Sequence, residues 1–385
     1  MQKKLIALAV AGLASTAAFA QSNVTIYGVA DAGYVNSSSE RRTTSAATSQ
    51  KDANYSAIDS GLLGGSRIGF KGEEALGNGL KAVFTLEYAL SIDGNVGVGA
   101  ALARQQFVGL NSAKLGQVAL GRQYAAGYGA QVRNDAMAAS GIGSVLAALN
   151  TAGGNTIQGA SNARINNSVT YTSPNWSGFT VSGIYGFAEA GGTTADGISQ
   201  GNSGFFGAGL NYANGPLNLD LVYQSRRSVA TNTIVAVSAA GNGLSAVTAS
   251  TATQDNINEW GIGGSYDFKV VKLFATYQDQ NDNNGTSSTE ASNRVWSVGA
   301  AVPVFGNGTV RVSYANLEWD RKSAGGSDAW ALGYTHALSK RTTLYTTYAS
   351  VDNDNDTLVA AGPIANTRFR GERNGTFSAG INHTF

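Results

Sequence analysis

Arginine guanidiniums and a few carboxylates carry most of the chemistry this 385-residue chain can offer. It has no cysteine and only two histidines, His336 and His383. A Ser–His–acid or Cys–His arrangement needs a histidine facing its nucleophile within one site. Both histidines fall in outward-facing runs at strand ends, so no catalytic residue is expected. No His/Cys/Asp cluster has zinc spacing. No glycine-rich loop joins a strand to a helix, so no phosphate cradle and no cofactor are expected. The acids Asp279, Asp282, Asp352, Asp354 and Asp356 could bind calcium weakly, but solvated loop acids are the simpler reading. What remains is fixed charge. Arg67 and Arg104 fall on inward positions by strand parity, and Arg164 stands just before Asn166-Asn167-Ser168. Glu87, Asp31, Lys71 and Lys81 share that inward face. Arg133 and Asp135 lie in a long segment, Tyr124–Ala163.

These residues are carried on segments that alternate apolar and polar with a period of two. Leu217, Leu219, Leu221 and Tyr223 alternate with Asn218, Asp220 and Gln224. Leu80, Ala82, Phe84, Leu86 and Tyr88 alternate with Lys81, Thr85 and Glu87. Such a strand sets one face against something apolar and the other against water. Sixteen segments of this kind are expected, near 24–35, 62–73, 80–92, 104–113, 117–125, 164–173, 178–188, 204–213, 217–228, 257–268, 271–280, 293–304, 308–320, 327–337, 341–351 and 375–385.

Composition narrows the class. Charged residues are 13% of the chain, against about 25% in soluble domains. Glycine is abundant at 50 and proline scarce at 4. No segment after the first twenty residues approaches 18 consecutive apolar residues, which excludes helical spans. Connections alternate short and long, strands are long enough for a tilted span, and their number is even. Tyr223, Trp260, Tyr266, Phe268, Trp319, Trp330, Tyr334 and Phe385 gather at strand ends, as an interfacial girdle would. The expected fold is therefore all-β, a 16-stranded antiparallel transmembrane β-barrel, closed because an open edge in lipid would strand backbone groups. Sixteen strands enclose more space than side chains fill, so a water channel follows.

The first twenty residues read as a signal peptide: Lys3 and Lys4, an apolar run from Leu5 to Ala14, then Ala18-Phe19-Ala20. The barrel domain is expected over 21–385. Without Lys3 and Lys4 the 26 basic residues become 24, against 25 acidic. With no basic stretch interleaved with aromatics, nucleic acid is not an expected partner.

Stretches spread along the chain resemble the trimeric general porins of Gram-negative bacteria, in their betaproteobacterial branch. They include Val24-Thr-Ile-Tyr-Gly-Val-Ala-Asp-Ala-Gly33, Ser66-Arg-Ile-Gly-Phe-Lys-Gly-Glu-Glu-Ala-Leu-Gly-Asn-Gly-Leu-Lys-Ala82, Arg104-Gln-Gln-Phe-Val-Gly-Leu110, Asn167-Ser-Val-Thr-Tyr-Thr-Ser-Pro174 and Gly380-Ile-Asn-His-Thr-Phe385. The resemblance implies an outer-membrane channel for passive diffusion of small hydrophilic solutes. It implies a long third loop folded into the lumen against a basic ladder of Arg67, Arg104 and Arg164. It also implies a homotrimer, with Gly28, Ala30, Ala32 and Gly109 as small outward residues toward a neighbour, and an end strand (Phe377, Ile381, Phe385) read by the barrel-assembly machinery. Outer-membrane lipid and lipopolysaccharide would surround it. The loop departs from the commoner pattern, since Arg133 and a single acid, Asp135, stand between Arg122 and Arg164. With Glu87 the only close compensation beside Asp31, anion preference is expected. Arg122 has ambiguous parity. A substrate-selective organic-anion channel and a barrel serving adhesion or structure are the alternatives.

Overall fold

The computed structural model describes residues 23–40, 54–94, 103–188, 201, 203–229, 255–282, 291–321, 325–354 and 372–385. The expected signal peptide, and Asp356, lie outside the described residues. Among the described residues seventeen strands form one sheet. They are β1 (Asn23–Glu40), β2 (Asn54–Ser60), β3 (Arg67–Gly77), β4 (Leu80–Ala89), β5 (Ala103–Ser112), β6 (Gly116–Tyr124), β7 (Arg164–Thr172), β8 (Phe179–Gly186) and β9 (Phe205–Asn214). There follow β10 (Leu217–Arg226), β11 (Ile257–Asp267), β12 (Lys272–Asp282), β13 (Asn293–Val304), β14 (Gly308–Trp319), β15 (Gly326–Ala337), β16 (Thr342–Asn353) and β17 (Arg373–Thr384).

The ring closes between β1 and β17, antiparallel from Val29↔Thr384 to Glu40↔Arg373. Gly28 and Phe385 add a reciprocal pair of backbone hydrogen bonds at 3.0 and 3.1 Å. The Phe385 ring lies across Gly28, where a β-carbon would come within 2.4 Å of it. Gly28 is thus small because the terminal aromatic covers it.

Seventeen strands make sixteen staves. β1 pairs with β3 through Asn23–Val29 and with β2 through Ala32–Ser38. β2 and β3 are therefore one stave, broken at residues 61–66. Asp31 explains the break. Its carboxylate accepts the amides of Leu62 (3.0 Å), Leu63 (3.4 Å) and Gly64 (3.1 Å), the Tyr345 hydroxyl (2.9 Å) and the Asn382 amide (2.7 Å). Asp31 was expected to line the channel. Instead it is fully buried, because an ionised carboxylate out of water must be surrounded by donors.

The two faces follow the alternation. Leu219, Leu221, Tyr223, Trp260, Ile262 and Tyr266 are exposed on the outer face, while Asp220, Gln224, Glu259 and Ser265 are buried on the inner one. Outer aromatics meet across strands as Trp260–Tyr277, Trp296–Tyr314 and Trp330–Tyr348, each 5.4 Å between centroids. Trp319 departs from the expected girdle: it has the parity of Leu317 and packs against the inner apolar cluster. Gly109 departs too. Its neighbours Val108 and Leu110 are exposed, and a β-carbon on Gly109 would press on buried Ala119. It faces inward.

The chain between β6 and β7 carries two helices, α1 (Ala126–Asn134) and α2 (Val145–Ala152), and a short turn at Ser161–Ala163. Both helices rest on the inner face. The inner wall is not uniformly polar: Val35, Val295, Ala315, Leu317, Ala329 and Val351 form a fully buried patch. Val145, Leu146 and Leu149 of α2 cover it, each contributing about 1.5–3 kcal/mol by leaving water. Ser144 caps α2 by accepting the Ala147 amide at 3.3 Å.

Two wall carboxylates hold the loop's polar side. Glu259 accepts the Thr156 amide (2.7 Å), the Thr156 hydroxyl (2.9 Å) and the Ile157 amide (3.0 Å), with Arg226 at 3.2 Å. Asp220 accepts Arg133 through two bonds, 2.6 and 3.1 Å, and the Asn134 amide at 2.7 Å. E259Q leaves buried Arg226 without its counter-charge, a change that costs about 3–5 kcal/mol when a buried pair is broken. The expected outcome is frequent current fluctuation in single-channel recordings, with the barrel still formed. L149A opens a cavity costing about 2–5 kcal/mol; protease cleavage within 135–160, absent in the parent chain, is the expected readout.

Candidate functional site

Across the barrel from the loop's anchors, one carboxylate gathers several cations. Glu87, 6% exposed, takes Arg104 Nε at 2.6 Å and the Tyr27 hydroxyl at 2.9 Å, with Arg67 Nε at 3.9 Å. Tyr27 reaches Glu87 across Gly69, where a β-carbon would sit 2.4 Å from its ring. Arg104 also donates to the Tyr124 hydroxyl at 3.1 Å. The Arg164 guanidinium lies 5.3 Å from the centre of the Tyr124 ring, a cation–π distance. Tyr124 in turn stacks on Tyr128 of α1 at 3.6 Å. Burial, then the neighbouring Tyr124, push the Tyr128 hydroxyl up to about 12, so it stays neutral in this cationic company.

Parity alone does not bring Arg104 to this place. Val108 and Leu110 face outward on β5, and strict alternation would send Arg104 with them. The register between β4 and β5 shifts, from Glu87↔Gln105 to Tyr88↔Ala103, leaving Arg104 as the extra residue. A bulge re-aims a side chain in this way. A second irregularity lies between Gly121 and Gln123 on β6, where Gly121 has φ 138°. Beside it Arg122 donates to Ala103 O at 2.9 Å, to Arg164 O at 3.4 Å and to the Asn166 side-chain oxygen. Arg122 thus braces the backbone that carries Arg104 and Arg164, while Arg104 and Arg67 are the guanidiniums set against Glu87 itself.

The two loop residues expected at the narrow point are placed differently. Arg133 is tied to Asp220 on β10. Asp135 is buried within the loop itself, accepting the Ser144 hydroxyl at 2.6 Å and the amides of Ala139 (2.8 Å) and Met137 (3.2 Å). Burial pushes its carboxyl up from the ordinary range, against the pull of these donors. Neither is a free charge beside Glu87. Lys71 and Lys81 share the inward face of β3 and β4 but lie toward the Gly77–Leu80 turn. Lys71 stands 5.2 Å from the Tyr27 ring, and exposed Lys81 pairs with Glu73 at 2.8 Å. Tyr27, Tyr124, Tyr128, Asp220, Arg226 and Glu259 were not expected to have roles here. Asp220 and Glu259 show one signal in sequence, a charge on the polar face of a strongly alternating strand.

Among the described residues no group of three or more His, Cys, Asp or Glu could hold a metal ion. His336 bonds the Tyr334 hydroxyl, and His383 the Thr342 hydroxyl, at strand ends. By parity with exposed Leu332 and Ile381 both lie on the outer face, away from the lumen.

The profile of the Gram-negative porin family matches residues 7–356. Outer membrane porin protein 32 of Delftia acidovorans is 34% identical over the whole of both chains. An outer membrane porin protein of Bordetella pertussis is 30% identical, covering 94% of this chain and 99% of its own. The solved structure described as the anion-selective porin from Comamonas acidovorans superposes with a TM-score of 0.70 at 27% identity, covering 95% of this chain and all of its own. The closed ring of sixteen antiparallel staves, its outward apolar face and these matches agree: the chain belongs to the Gram-negative porins, channel-forming β-barrels of the outer membrane.

Proposed function

We propose that this porin is a water-filled channel for passive diffusion of small hydrophilic solutes and ions, with a preference for anions. One observation carries the reading. Arg67 and Arg104 stand against Glu87, with Arg164 beside them on the Tyr124 ring, while the inward acids Asp31, Asp135, Asp220 and Glu259 are buried and bound as anchors. A low-dielectric wall focuses the field of the remaining positive charge into the water it encloses. The anion-selective relative is consistent with this. The stacked Tyr124–Tyr128 pair beside Arg104 favours, as a second reading, selection of organic anions.

The proposal extends to the assembly. Residues 1–20 serve as the export signal. The chain forms a homotrimer in outer-membrane lipid and lipopolysaccharide, with Gly28, Ala30 and Ala32 on the side toward a neighbour. The barrel-assembly machinery reads the final strand, whose Phe377, Ile381 and Phe385 are exposed on the outer face.

Reversal potential in a salt gradient across a planar bilayer tests the charge argument. The parent channel is expected to be anion-selective. R104Q is expected to lower the anion-to-cation permeability ratio about fivefold, since a charge contact near 4 Å in water is worth roughly 1 kcal/mol. The difference should shrink in 1 M salt, where the Debye length is about 3 Å. A cation-selective parent channel would refute the reading.

A further inference from the structure

On the wall opposite the arginine cluster lie two more inward cations. Counting β2 and β3 as one stave, β5 with Arg104 is the fourth and β13 the twelfth, diametrically opposite in a ring of sixteen. Lys272 on β12 and Arg311 on β14 flank β13. The register places them on one transverse row, Lys272↔Ala301 and Ala301↔Arg311. Two strand spacings separate their backbones, about 10 Å; the Arg311 guanidinium rests on Thr335 of β15, on the far side, and turns back toward Lys272 when a ligand bridges the two. Both face the lumen, because Leu273 and Val312 beside them are exposed on the outer face.

Among the described residues no acid neutralises Arg311. It donates to the Thr335 hydroxyl at 2.7 Å and makes no ion pair among those residues. Of its register partners, Ala301 toward Lys272 carries only a methyl, while Gly333 on the other side lies beneath Met137 of the loop. Lys272 lies 5.0 Å from the Phe274 ring. The nearest acid by register is Asp267, opposite Lys272. One of its oxygens accepts the Lys269 amide at 2.7 Å, and it offsets Lys272 in part. The loop crosses the wall one inward row away on β13 and reaches Arg311's own row on β15. A β-carbon at Gly299, which pairs with Ser313, would meet Ala136 at 2.7 Å, and one at Gly333 would meet Met137 at 3.6 Å. Arg311 therefore sits between the loop and the Phe305–Asn307 turn, on the side of the constriction that the short turns define.

We propose that Arg311 and Lys272 form a second anion station, distinct from the Arg67–Arg104–Arg164 cluster, that holds a small multivalent oxyanion such as a phosphate or a dicarboxylate after it passes the narrow point. The inference rests on the open lumen of the channel reading but not on its ion preference. Two cations separated in this way suit a ligand with more than one negative oxygen. A monovalent carboxylate engages one of them at a time.

The test is block of chloride current through the assembled channel in planar bilayers, titrated with inorganic phosphate, succinate or acetate. Phosphate and succinate are expected to block the parent channel and acetate far less. R311Q is expected to raise the half-blocking concentration of phosphate about fivefold, the loss of one wet charge contact. K272Q raises it less, because Asp267 already offsets that lysine, and R311K retains the block because the charge remains. An unblocked parent channel, an unchanged half-block in R311Q, an R311K channel that behaves like R311Q, or acetate block equal to phosphate would each overturn the station as described. Reversal potential in the same membranes reads the arginine cluster separately, so a cation-selective parent channel would remove the constriction reading without deciding the phosphate result.

Discussion

A strand in hydrocarbon has no water to satisfy its edge, so each backbone donor and acceptor must find another strand. That requirement brings β1 to β17 along twelve paired positions and makes the sheet a ring. Once the ring is closed, the period of two leaves each stave one face toward lipid and one toward the enclosed space. The outer face can be apolar throughout. The inner face inherits all of the chain's useful polarity, and the remaining structure is an arrangement of those inward groups.

The inward acids are sorted by burial. Asp31 holds the break between β2 and β3, Asp220 and Glu259 hold the loop, and Asp135 organises the loop's own turn. Each is enclosed by donors, as an ionised group away from water must be. A carboxylate used in this way fixes geometry and adds little to the field that a passing ion meets. Glu87 is the carboxylate that stays with the guanidiniums. The same acids that pin the loop are thus bound elsewhere, and Glu87 is the described carboxylate set against Arg104 and Arg67. The loop has a second attachment of a different kind, α2 laid on a dry patch of the inner wall. Polar anchors at Arg133–Asn134 and at Thr156–Ile157 stand on either side of this apolar seat along the loop.

Much of this was legible in the sequence. Alternation located the sixteen staves except for the β2 half of the second, residues 54–60, which fall before the expected segment at 62–73; a half-buried strand shows its two environments at successive residues. The break at 61–66 was not legible, since Asp31 acts on a segment more than thirty positions away. Arg104 was assigned to the correct face for the wrong reason. Only the bulge beside Glu87 turns it inward, and a bulge is a property of two strands in register. The inner apolar patch escaped notice because Val295, Leu317 and Val351 look like ordinary interruptions of a polar face until α2 covers them. Asp135 and Arg133 were counted as free charges because nothing in a loop sequence reveals which partner a long side chain will find. Trp319 and Gly109 were given to the wrong face, each through a one-residue error of parity.

The central claim is that this loop is lodged against the inner wall while the channel stays open. Cross-linking tests it directly. The chain has no cysteine, and the β-carbon position at Gly299 lies 2.7 Å from that of Ala136, so a small retreat reaches the spacing of about 3.5–4.5 Å that a disulfide needs. The account expects A136C/G299C to oxidise to an internal bridge, seen as a mobility shift reversed by reductant, with single-channel conductance close to that of the parent. No bridge in the folded protein, or a bridge that abolishes conductance, would contradict it.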